Sequence, residues 1–180
     1  METNAVNSKN IMLKNGLYLG LASIAISVIW YATGNTYSTN PLMGTLLTII
    51  GLGISIFFIV VAIKKFKAEN NGYLFLSQAL KIGIGVALIG GVIAAAYALL
   101  FTTVIEPDYF EKLLEVQRQA MIEANPNLTE QQLQAMGEMA EKFSLSPFTT
   151  FTFSIIGSLF SGLIISLIAG AVMQKKEQVY

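Results

Sequence analysis

Few side chains in this sequence have the type and spacing to do chemistry. Ser77 and Lys81 stand one helical turn apart in SQALK, the separation a Ser–Lys nucleophile pair needs. Asp108, Glu111 and Glu115 share one helical face, and hard divalent cations take carboxylates. Met121, Met136 and Met139 offer thioethers to a soft metal. Histidine and cysteine are both absent, which removes the commonest general base, the commonest metal ligand and every thiolate. Each remaining pattern has a plainer reading. Lys81 opens an apolar run and should sit protonated among headgroups. The carboxylates suit a solvated helix face, and the methionines suit packing between helices. The expectation is therefore no catalytic residue, no metal site and no cofactor.

The elements that carry these residues point to a membrane. Hydrophobic residues make up 54% of the chain and charged residues 12%, against about 25% charged in a soluble domain. Four apolar runs, GLYLGLASIAISVIWYA from Gly16, Pro41–Ile63, Ile82–Ile105 and Phe151–Met173, contain no Asp, Glu, Lys or Arg. A bilayer core of about 30 Å takes roughly 20 residues of helix. The fold expected is an all-α integral membrane four-helix bundle, one domain over residues 1–180, with spans near 16–33, 41–63, 82–105 and 150–173. The first run also follows two lysines and precedes Ala32-Thr33-Gly34, as a signal peptide would, but it is longer than the usual h-region.

Charge placement sets the expected orientation. Lys9, Lys14, Lys64, Lys65, Lys67, Lys81, Lys175 and Lys176 fall on one side of four single spans. The segment 106–147 on the other side has only Lys112, Arg118 and Lys142 against eight acids. The positive-inside rule then places both termini in the cytoplasm. Lys64, Lys65, Lys67 and Lys81 at the inner boundary, with Trp30 and Tyr31 at the outer one, read as membrane-interface anchors. Phe75, Leu76, Ala79 and Leu80 read as lying in the interface before the third span.

Glycine weakens a helix in water, yet 81–100 reads KIGIGVALIGGVIAAAYALL. In lipid, small residues let helices approach closely. Gly83, Ala87, Gly91 and Ala95 recur every fourth residue, and so do Ser158, Gly162, Ser166 and Gly170. The two ridges suit crossing helices within one chain, or a contact with a second copy.

Between the third and fourth spans, residues 106–147 read as an extracytoplasmic helical hairpin. Pro107 ends one helix and Asp108 is placed to cap the next. Asn125-Pro126-Asn127 reads as a turn, which also matches the short glycosylation acceptor Asn127-Leu128-Thr129. Thr129 and Gln132 form a capping-box pattern with Leu128 and Leu133 as a staple. Ser146-Pro147 reads as the start of the last span. Phe110, Leu113, Leu114, Leu133, Met136 and Phe143 make the candidate partner face.

NGLYLG at 15–20 echoes NGYLFL at 71–76, and AIKKFKAE at 62–69 echoes AVMQKKEQ at 171–178, as a parallel repeat of two hairpins would. The stretch KKFKAENNGYLFLSQALKIGIG, residues 64–85, resembles an uncharacterised bacterial four-span membrane family, the domain of unknown function numbered 4199. That resemblance implies a multi-pass protein of a Gram-negative inner membrane and no activity. The resulting expectation is a noncatalytic accessory subunit that binds a membrane or periplasmic protein, with lipid as its surroundings and no nucleic acid. The alternative is a small transporter or channel acting as a homo-oligomer.

Overall fold

The structure is a computed structural model that describes residues 7–125, 129, 131, 132, 134, 135 and 147–175. Helix α1, Ser8–Ala32, starts where the Asn7 side chain accepts from the Asn10 amide at 3.1 Å. Helix α2, Pro41–Glu69, starts with proline at its first position, and Asn40 accepts from the Leu42 amide at 3.0 Å. Helix α3, Leu76–Leu100, starts with Gln78 reaching back to accept from the Phe75 amide at 2.9 Å. It widens into a π-helical turn over Phe101–Ile105 ahead of Pro107. Helix α4 is Tyr109–Ala124 and helix α5 is Pro147–Met173.

Four stretches are long and apolar enough to cross a membrane: Ser8–Ala32, Pro41–Glu69, Leu76–Ile105 and Phe148–Met173. The chain is an all-α membrane helical bundle. Its helices outrun the apolar runs at the lysine-bearing end, where α1 takes in Lys9 and Lys14, and α2 takes in Lys64, Lys65 and Lys67. There Lys9, Lys14, Lys64 and Lys65 are exposed, and Lys67 is half-buried.

Helix α3 is the centre of the bundle, packed closely against α1 on one side and α5 on the other, with α2 held more loosely. The hairpins α1–α2 and α3–α5 therefore have different surroundings, unlike the halves of a two-fold repeat. Burial is uneven along the helices. Buried positions end at Gly20 in α1, begin at Ile59 in α2, run from Ala79 to Ala95 in α3, and begin at Gly162 in α5. All of these lie toward the lysine end. At the opposite end, called here the tyrosine end, the helices part.

A short clasp closes the lysine end. Asn71 and Gly72 both take positive φ, 53° and 81°, to turn the chain sharply after α2. Leu74, fully buried, then exchanges two backbone hydrogen bonds of 2.9 Å with Lys175. Lys67 Nζ donates to the Met173 carbonyl at 2.7 Å, which satisfies an orphan acceptor at the end of α5.

Several expectations need correction. Asp108 stands before α4, but its side chain makes no capping bond. Its φ and ψ of −84° and 10° leave it turning rather than extended, so the carboxylate does not face the first amides. Leu76, Ala79 and Leu80 belong to the first turns of α3 itself. Ala79 is fully buried against α5 at Gly170, because the helix begins before the apolar run does. Lys67, expected as an interface anchor, also donates to the Met173 carbonyl. The Thr129–Gln132 pair forms both bonds of a capping box, at 3.0 and 3.4 Å. Asn127, Leu128, Leu133, Met136, Met139, Phe143, Ser146 and Lys176 lie outside the described residues.

Candidate functional site

The α3–α5 seam sets the shape of everything above it. A Cβ built on Gly83 would collide with Ser166, one on Gly91 with Ser158, and one on Gly162 with Ala87. One on Gly170 would come within 2.7 Å of Ala79 Cβ. The small residues of the two helices thus face one another in one antiparallel seam within the chain, and Ala95 is buried at its upper limit. Helix α1 meets α3 the same way: Cβ atoms on Gly16 and Gly20 would lie 2.6 and 2.7 Å from the Cβ atoms of Ile89 and Ile93.

Above this seam the helices enclose two adjoining clefts. The deeper has a volume near 290 Å³ and is bordered by small side chains and hydroxyls, among them Ser23, Ser55, Gly91, Ser154 and Ser158. The outer, near 260 Å³, adds an aromatic wall of Trp30, Tyr31, Tyr97, Phe101 and Tyr109. Ser27, Ala94 and Ala98 line both. Among the described residues, no Asp, Glu, Lys or Arg lines either one. Ser23, Ser27, Ser55 and Ser158 each donate to a carbonyl of their own helix at 2.9–3.0 Å.

Behind the aromatic wall sits Glu106, its side chain only 13% exposed. Tyr31 Oη donates to one carboxylate oxygen at 2.8 Å, Tyr37 Oη to the other at 3.2 Å, and Lys112 Nζ pairs with that second oxygen. The Lys112 and Tyr31 bonds hold the Glu106 carboxyl below the ordinary carboxylate range. Glu106 in turn raises Lys112. Burial, then the Glu106 charge, pushes Tyr37 up to about 12. The rings pack around this centre: Tyr31 and Phe101 meet edge to face at 5.1 Å, as do Phe101 and Tyr109 at 5.7 Å, and Tyr109 lies tilted to Tyr37 at 5.8 Å. One carboxylate so ties α1, the α1–α2 loop and the root of α4 together.

Residues 14–175 match a family described as a protein of unknown function, DUF4199. The chain belongs to this family. Neither a curated protein nor a solved structure matches it. Membership of DUF4199 brings no functional residue with it, so the site rests on the geometry above.

Outside the seam, the candidate residues read from the sequence are scattered in the DUF4199 chain. Ser77 and Lys81 are both exposed at the lysine end and away from the clefts. Lys64 borders an apolar groove between α2 and α5, while Lys65 lies 4.0 Å from Glu69. Trp30 and Tyr31 border the outer cleft. Phe110, Leu113 and Leu114 are half-buried on α4. No cluster of three or more His, Cys, Asp or Glu able to hold a metal occurs among the described residues. Glu106 escaped the sequence reading, and Tyr37 reads from the sequence only as one more aromatic at the expected outer boundary. The available signal was an acid directly before proline at the end of an uncharged span, where burial without a partner would be costly.

Proposed function

We propose that this DUF4199 protein is a noncatalytic accessory subunit of a bacterial inner membrane. Both termini face the cytoplasm, and the segment after Glu106 faces out and binds a protein partner. The observation that carries this reading is the Glu106 latch. Three donors from three elements clamp the start of α4, so the outer segment stands on a fixed base. A segment that served only to join α3 to α5 would need no such anchor. The half-buried Phe110, Leu113 and Leu114 give it an apolar stripe to present. The distribution of lysines supports the orientation.

The test is a crosslinked pull-down from native membranes in mild detergent, comparing the intact chain with one lacking residues 108–143. A protein captured only by the intact chain supports the reading. Equal capture by both chains contradicts it. The clefts favour a second reading, a small transporter acting as a homo-oligomer, which predicts solute flux in liposomes above an empty control.

A further inference from the structure

The three lysines near the end of α2 are placed differently. Lys65 lies 4.0 Å from Glu69, and Lys67 donates to the Met173 carbonyl at 2.7 Å. Lys64 is exposed, and among the described residues it has neither an acidic partner nor a hydrogen bond. It stands instead at the mouth of the groove between α2 and α5, the one charged side chain on its border among the described residues. Beyond Lys64 the groove is apolar, with a volume near 380 Å³. The buried Ile165 and Ala169 form its floor, with Ile56 of α2 on one side and Ile168 and Val172 of α5 on the other.

Two features of this groove favour a lipid chain over a helix as its occupant. The first is length. Ile56 to Lys64 and Ile165 to Met173 each cover about 12 Å of helix, close to one leaflet's half of a hydrocarbon core about 30 Å thick. The second is the shape of the walls. Helices approach one another closely in lipid where small residues line the contact. Gly162 and Gly170 of α5 are already spent on Ala87 and Ala79 of α3. Among the described residues the groove presents branched side chains and no glycine, and a flexible acyl chain can follow such walls. A two-fold pairing of copies through the groove would also bring two Lys64 side chains together.

Charge at the mouth selects the headgroup. Lys64 and Lys67 stand one helical turn apart, while Glu69 is matched by Lys65. The surplus is positive. An anionic headgroup brings only its phosphate charge to it, whereas a zwitterionic one brings an amine as well. Basic side chains beside grooves between membrane helices are a recurrent setting for anionic lipid heads.

We propose that the α2–α5 groove is a binding site for an anionic glycerophospholipid of the leaflet at the lysine end. One acyl chain lies in the groove and the phosphate pairs with Lys64. The site requires neither the protein partner nor the orientation argued above, so its test and the pull-down fail independently.

The test is native mass spectrometry of the full chain released from mild detergent. The chain is titrated with palmitoyl-oleoyl phosphatidylglycerol and, separately, with the ethanolamine lipid carrying the same chains. The expected result is one glycerol lipid retained per chain, with an apparent affinity about fivefold above that of the ethanolamine lipid. Lys64→Gln should bring the two lipids level. Lys14→Gln removes an exposed lysine of α1 from the same end of the bundle and should keep the preference. Ile168→Ala with Val172→Ala lowers the groove wall at exposed positions. It should weaken both lipids by about threefold or more while thermal unfolding holds. sn-Glycerol 3-phosphate, a phosphate head without chains, should displace neither.

Equal retention of the two lipids by the unaltered chain, a preference that survives Lys64→Gln, or one that Lys14→Gln removes as well, would overturn the proposal. So would unchanged retention by the double alanine variant. Displacement by sn-glycerol 3-phosphate would reduce Lys64 to a plain phosphate contact and overturn it too. A dimer that carries no lipid and is lost in the double alanine variant would assign the groove to a second copy instead.

Discussion

The same substitution, glycine to alanine, should have opposite effects in two parts of this bundle. At Gly83 a new Cβ collides with Ser166 and comes within 3.1 Å of Ile59 Cγ2. Both neighbours are fully buried, so neither can swing aside. Relief requires moving α3 away from α5, which also loosens the contacts at Gly91 and Gly162. Overpacking of this kind destabilises by about 1–3 kcal/mol. The gain in helix propensity offsets up to about 1 kcal/mol of that in water, and less in lipid, where glycine is better tolerated. The net expectation for Gly83→Ala is about 1–2 kcal/mol of lost stability, a five- to thirtyfold fall in the folded-to-unfolded ratio. Gly44, Gly51 and Gly53 of α2 have no atom within 4 Å of a built Cβ. Alanine there should be neutral or slightly stabilising. The assay is reversible unfolding in mixed micelles, followed by circular dichroism. Pairing Gly83→Ala with Ser166→Gly should restore most of the loss, a coupling that a double-mutant cycle reads directly. Equal effects at Gly83 and Gly51, or no rescue by Ser166→Gly, would refute the packing argument.

Glu106→Gln should loosen the root of α4 without unfolding the bundle, seen as faster amide exchange at Lys112 and its neighbours. Because the folded-state carboxyl lies below its ordinary value of 4.5, the latch contributes fully above that value and is lost as pH falls through the lowered one. Wild-type exchange at Lys112 should therefore stay slow at pH 5 and rise only in stronger acid. Lys67→Met leaves the Met173 carbonyl without its donor, and amide exchange at Leu74 and Lys175 should speed up by about fivefold. The chain has no native cysteine. A membrane-impermeant thiol reagent on intact cells should label Ser38→Cys and spare Ala68→Cys, and the reverse pattern would invert the proposed orientation.

The bundle was legible because lipid imposes simple demands. Uncharged runs of span length are visible in composition alone, and Gly83, Ala87 and Gly91 opposite Ser158, Gly162 and Ser166 need only a spacing of four. The start of α1 at Ser8, well ahead of the apolar run, was not legible from that pattern, because it depends on the Asn7 cap. The latch was not legible, because Tyr31, Tyr37, Glu106 and Lys112 come from three elements and meet only once the chain has folded. The clefts were not legible for a related reason. They arise where packing stops, and the hydroxyls of Ser23, Ser55 and Thr150 look alike in sequence whether or not each finds a partner. The π-helical turn at Phe101–Ile105 likewise has no local signal beyond the approach to Pro107.

The clasp between Leu74 and Lys175 bears on how the chain is made. Its two halves are separated by more than half of the sequence. At roughly 5–20 residues per second, the first half waits about 5–20 s for the second to leave the ribosome. During that time α1, α2 and α3 are already inserted, while the backbone of Leu74 has only water and headgroups to bond. The ridge Gly83–Ala87–Gly91 is open to any passing helix with small residues of its own. Assembly of this protein therefore has a window of vulnerability that closes only with the arrival of α5. Crowding by other nascent helices, or a pause in translation between residues 106 and 147, would act on that window and not on the finished bundle.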